Sequence, residues 1–141
     1  MRINPTKTAA GEGCCGPSGG MSITDYIERG MRRNRSPILP VVGEAAFDED
    51  GLTAQFSLDM AEGCVRAASF RVSSCATLLA YAEALADIVS GLTLRDAGLH
   101  CRPTELVSML PCVPVWKRGR AILAVRALVS ALAKAAAGGA Q

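Results

Sequence analysis

Aromatic side chains are scarce in this sequence, which has one Trp, two Tyr and three Phe in 141 residues. A core must therefore come from Leu, Val, Ile and Ala. Half of the residues are hydrophobic, enough for one domain with one core. Charge of one sign is lacking as well: a formal net charge of +2 points to neither a nucleic acid nor a membrane. No apolar signal-peptide core stands near the N-terminus, so a reducing, cytoplasmic setting with free thiols is expected. No stretch reads as a membrane span, because the most apolar segments carry Glu83 and Asp87, or Arg126 and Lys134. There is no Ser/His/Asp pattern, phosphate-binding glycine loop or metal-hydrolase motif, and an enzyme is not expected. The basic run Arg29, Arg32, Arg33 and Arg35 has no interleaved aromatics and reads as a helix end rather than a nucleic-acid surface.

What the chain does have is cysteine, at positions 14, 15, 64, 75, 101 and 112. Cys14 and Cys15 fall in a Gly/Pro-rich segment, 1–21, that reads as a disordered tail with almost nothing to bury. The folded domain is expected over 22–136, with 137–141 a flexible end. Ser22 and Asp25 have the spacing of a capping box, and Ile23, Tyr26, Ile27 and Met31 recur at helical intervals, predicting a helix over about 23–34. Pro37 and Pro40 forbid its continuation.

A β section follows. One strand is expected within 38–47, then the turn Asp48-Glu49-Asp50-Gly51. Leu52, Ala54, Phe56 and Leu58 alternate with polar residues, and Cys64 to Val72 reads as the returning strand, with Cys64 on the buried side with Phe70. The remainder is helical. Ser73-Ser74 offer a cap to a mostly buried helix over Cys75 to Ser90. Thr93 to Asp96 starts a short helix, Pro103-Thr104 another, and a long helix is expected from about 117 to 136. Strands first and helices after predict an α+β domain: a three-stranded antiparallel sheet with helices packed on one face.

The order of elements resembles the IscU/NifU-type iron–sulfur cluster assembly scaffold family. Residues 69–97, SFRVSSCATLLAYAEALADIVSGLTLRDA, resemble that family's strand, its cysteine opening the central helix and the following helix start. Residues 22–35 resemble its N-terminal helix, 120–128 its C-terminal helix, and Leu110-Pro111 sits where the family has Leu-Pro before its last ligand. The resemblance covers roughly 22–136. It implies an iron–sulfur cluster or zinc as cofactor, a cysteine desulfurase or a cluster-assembly or acceptor protein as partner, and sulfur transfer as the chemistry. Family scaffolds hold a cluster with three cysteines and usually an aspartate. The second of these falls on Cys75. Where the first is expected the chain reads Asp48-Glu49-Asp50-Gly51, and where the third is expected it reads Lys117-Arg118-Gly119-Arg120. The same fold is shared by SufE-type persulfide acceptors, whose acceptor cysteine has no counterpart here.

Cys75 carries the main weight. A thiol at a helix N-terminus faces unpaired N–H groups, which favour the thiolate that binds metal or attacks a persulfide. A cluster or a zinc ion needs about four donors. Candidates to join Cys75 are Cys112, Glu49, Asp50 and His100, with Cys14 and Cys15 able to swing in from the tail; alternatively, two copies share one cluster as a homodimer. Cys101 can face either way. Lys117, Arg118 and Arg120 stand at the wrong helix end for the dipole; the resemblance implies that they and the acidic turn 48–50 replace ligands of one site, so a salt-bridge cluster between them is expected there. Three readings are open: binding or passing on a cluster or metal through Cys75, an interaction protein that holds none, and a persulfide acceptor.

Overall fold

The computed structural model describes residues 21–139. Helix α1 (Ile23–Arg33) starts on the expected capping box. The Asp25 N–H donates to Ser22 Oγ and the Ser22 N–H to Asp25 Oδ2, each at 3.2 Å. Two short strands follow, β1 (Val41–Val42) and β2 (Ala46–Phe47), then the long hairpin β3 (Thr53–Ala61) and β4 (Cys64–Val72). The helices α2 (Ala76–Val89), α3 (Leu94–Leu99), α4 (Pro103–Met109) and α5 (Arg120–Gly139) complete the domain.

All strand pairs are antiparallel. β3 lies in the centre, with β4 along one edge and β1 and β2 in succession along the other. The sheet is thus three strands wide with helices packed on one face, and the fold is α+β as the pattern predicts. The single edge strand expected within 38–47 is broken at Gly43. A Cβ there would stand 2.5 Å from the backbone nitrogen of Ala131, so α5 crosses the edge at contact distance where only glycine fits. Gly43 still donates its N–H to Phe56 C=O at 2.9 Å, keeping the two pieces in one line.

Ala54, Phe56 and Leu58 of β3 face inward beside Val72, Phe70 and Ala68 of β4, and all are buried. The Phe56 and Phe70 rings meet in a tilted pair with centroids 5.5 Å apart, a geometry worth about 1 kcal/mol beyond the area it buries. The register shifts at Asp59/Met60, and this bulge reverses the phase of β4 near its start. Val65 is buried there and Cys64 only half-buried, so Cys64 is not the core residue that strict alternation predicts.

α2 lies on the inner face and is buried over most of its surface. α1 packs on it closely enough that a Cβ on Gly30 would stand 2.8 Å from Leu79 O. Residues 34–40 then cross the opposite sheet face. The Ser36 and Ser69 hydroxyls meet at 2.7 Å and Ser57 Oγ accepts the Leu39 N–H at 3.0 Å, which is why both sheet serines are buried. The outer edges of the sheet are met by side chains. Arg33 donates to Ala68 C=O at 2.6 Å and Arg71 to Phe70 C=O at 3.1 Å. The Asn34 carboxamide pairs with both backbone groups of Val72. On the far edge Ser130 Oγ accepts the Glu44 N–H and Arg126 donates to Phe47 C=O. By length and composition α5 would suffice to cross a membrane; half of that stretch is buried inside the domain, where it packs on β3 and α2.

Candidate functional site

Cys75 heads α2 as the sequence pattern predicts, but as its N-cap rather than its first helical residue, and Ser73 sets its position. Ser73 donates its N–H to Thr53 C=O at 3.0 Å and accepts the Thr53 N–H on its hydroxyl at 2.8 Å, tying the loop after β4 to the start of β3. The serines therefore do not cap the helix, contrary to expectation. Cys75 itself is the extended N-cap residue, and its side chain makes no capping hydrogen bond. The thiol is half-buried and packs against the edge of the core. Among the described residues the first amides of α2 thus receive no side-chain acceptor, and a free thiol heads the buried central helix.

The acidic and basic turns do meet. Asp48 Oδ1 accepts the N–H groups of Asp50 and Leu52, each at 2.9 Å, and fixes the acidic turn, with Gly51 taking the positive φ of +83° that the turn requires. From the start of α5, Arg120 Nη1 reaches Asp50 Oδ2 at 3.3 Å. The other two cations go elsewhere. Arg118 donates to the carbonyls of Val113 and Pro111, on either side of Cys112, and Lys117 stands 4.9 Å from the centre of the Trp116 ring. Between the turns opens a cleft of about 410 Å³, which Cys75 does not line.

The remaining candidates are dispersed. His100 caps the C-terminus of α3 and its Nδ1 pairs with Glu105 Oε2 at 2.9 Å. Cys101 donates its thiol to Ala97 C=O, and burial, with Glu105 adding to it, pushes that thiol up to about 11. Cys112 is half-buried in the loop that Arg118 clasps. Glu49 and Asp50 line the cleft. Cys14 and Cys15 lie outside the described residues. Among the described residues no three His, Cys, Asp or Glu side chains come together as a metal site.

Three side chains that the sequence reading passed over matter to the architecture. Glu83 is 1% exposed and receives Arg33 in a two-pronged pair, with Arg29 at 3.3 Å. Its signal was legible: a glutamate in the middle of a mostly apolar, buried helix demands a partner. Tyr81 is buried, and its hydroxyl has no partner among the described residues; burial pushes that hydroxyl up, Arg118 opposes the shift and Cys112 adds to it. Arg126 closes one wall of the cleft, which no local pattern announces.

No known family's sequence profile matches the chain, and no curated protein matches it. Solved structures do. One is a hypothetical protein whose crystal structure was determined at 2.3 Å; it is 16% identical, with a TM-score of 0.54 over 78% of this chain and 98% of that one. Another is the N-terminal part of a nitrogen-fixing NifU-like protein from Brucella abortus, 18% identical, with a TM-score of 0.49 over 80% of this chain and 96% of that one. The first likeness shows the fold alone.

Proposed function

We propose that this chain is a non-catalytic, scaffold-like protein of iron–sulfur cluster assembly in the cytoplasm, meeting its sulfur or metal cargo at Cys75. One observation carries the reading: a half-buried thiol with no capping hydrogen bond heads the central helix, directly after a strand whose loop is pinned by Ser73. The resemblance of 22–35, 69–97 and 120–128 to the scaffold family supports it. The described residues do not supply the roughly four donors that a cluster or a zinc ion needs. A resident cluster held by the described residues alone therefore does not fit. The cargo is shared, with further donors from Cys14 and Cys15, a cysteine desulfurase, an acceptor protein or a second copy of the chain.

The Asp50–Arg120 pair favours a second reading, an interaction protein that holds no cargo, because two of the loops implied as ligand-bearing are occupied with each other. Purification without oxygen, alone and with a desulfurase, followed by measurement of iron, zinc and labile sulfide, separates the two. Under the first reading wild type with the desulfurase retains metal or sulfide, and Cys75→Ser does not. Metal that survives Cys75→Ser overturns the role of Cys75, and none in wild type leaves the interaction reading. Mass spectrometry after the same incubation shows whether Cys75 gains a sulfur atom, the mark of a persulfide acceptor.

A further inference from the structure

The cleft between the acidic turn and α5 is built from unlike charges and apolar surface together. Asp48, Glu49 and Asp50 stand on one side and Arg120 and Arg126 on the other, with Phe47, 61% exposed, and Ile122, 52% exposed, as apolar lining beside them. Phe47 and Ile122 are among the few large apolar side chains that the domain leaves in water, and here they share one concavity.

The charges are not used up among themselves. Asp50 and Arg120 pair, yet among the described residues the buried Nε of Arg120 has no acceptor. Arg126 spends one nitrogen on Phe47 C=O, and among the described residues neither it nor Glu49 forms an ion pair. A phosphate or dicarboxylate bound at the arginines would face the acidic wall. A divalent cation or polyamine at the acidic wall would face two guanidinium groups. A ligand with both a carboxylate and an ammonium satisfies both walls, and an apolar body suits Phe47 and Ile122. An internal peptide segment would meet both walls only with an acidic and a basic side chain at matching spacing, whereas a free amino acid carries both charges on one carbon.

We propose that this cleft binds a free apolar α-amino acid, its carboxylate on Arg126, its ammonium on Glu49 and its side chain against Phe47 and Ile122. The site lies apart from Cys75 and does not depend on the cargo reading. Titration of the full chain with leucine and methionine, followed by backbone amide NMR shifts and by calorimetry, tests it. Saturable shifts at Phe47, Glu49 and Ile122 are expected. The carboxylate analogue 4-methylpentanoate and the amine analogue 3-methylbutylamine should each bind at least about tenfold more weakly, each lacking one charge-assisted contact. Glu49→Gln and Arg126→Gln, both exposed positions, should weaken leucine by a similar factor, and Cys75→Ser should bind as wild type does. Equal binding of either one-charged analogue, or no shift at these amides with millimolar leucine or methionine, overturns the proposal.

Discussion

Arg33 Nε lies 2.6 Å from Glu83 Oε1 and its Nη2 lies 3.0 Å from Oε2, so the last turn of α1 is fastened to the middle of α2 by a two-pronged pair whose carboxylate is sealed from solvent. Nη1 of the same guanidinium reaches Ala68 C=O, so one side chain joins two helices and a strand edge. Arg33→Ala leaves Glu83 with Arg29 alone. Removing one partner of a buried pair costs roughly 3 kcal/mol, and a urea midpoint should fall accordingly with an unchanged m-value. A loss below about 1 kcal/mol would mean that Arg29 and water suffice.

Gly43 and Gly30 are held by backbone contacts rather than by turns. At Gly43 a methyl would press on the Ala131 backbone at 2.5 Å, and at Gly30 on Leu79 O at 2.8 Å. Gly43→Ala should cost roughly 1–3 kcal/mol by overpacking, and Gly30→Ala somewhat less. Gly98→Ala, with nothing within 4 Å of its Cβ, is the control free of overpacking, expected to hold or slightly raise stability because it lies within α3. Thermal denaturation of the three variants ranks them, and equal melting points would contradict the close crossings.

Cys101 makes a pH prediction. Its thiol is pushed by burial from an ordinary 9.0 to about 11 in the folded state. Below pH 9 folded and unfolded chains both keep the proton and no slope arises. Between 9 and 11 the unfolded chain releases it first, so stability falls as pH rises through that window. Urea midpoints at pH 8 and pH 10.5 should show the loss, and Cys101→Ala should reduce it, leaving the part due to Tyr26 and Tyr81, whose hydroxyls burial also pushes up. Alkylation of Cys101 in the native protein should likewise stay slow until the pH approaches 11.

Asp50 and Arg120 join the acidic turn to α5 across 3.3 Å, with Asp50 64% exposed. Such a pair is worth less than about 1 kcal/mol. A double-mutant cycle with Asp50→Asn and Arg120→Gln should return a small favourable coupling that shrinks in high salt. Zero coupling would mean the two turns are solvated separately.

The strongly periodic elements were legible in the sequence: the Ser22–Asp25 cap, the inward residues of β3 and the helix headed by Cys75 all stand where local pattern puts them. The misreadings share a cause, which is that distant segments decide them. Gly43 breaks its strand because α5, almost ninety residues on, lies against it. Ser73 was expected to cap a helix, yet Thr53 claims it from another strand. Cys64 lost its place in the core to a bulge that alternation cannot register. Within the candidate site, the place of Cys75 was readable from residue types in order, while the approach of the acidic to the basic turn was expected only through the family resemblance. The cleft, with Phe47 and Arg126 in its walls, was not, since its members come from two distant turns and one helix face.

The side chains along the rims of the sheet decide how other chains can approach it. Arg33, Asn34 and Arg71 occupy backbone groups of one rim, and Ser130 and Arg126 those of the other. An incoming peptide cannot extend the ladder without first dislodging them, which removes strand addition as an easy mode of recognition and guards against edge-to-edge stacking of copies. Recognition is left to the helix faces and the loops, the parts of the domain that carry Cys75 and the mixed-charge cleft.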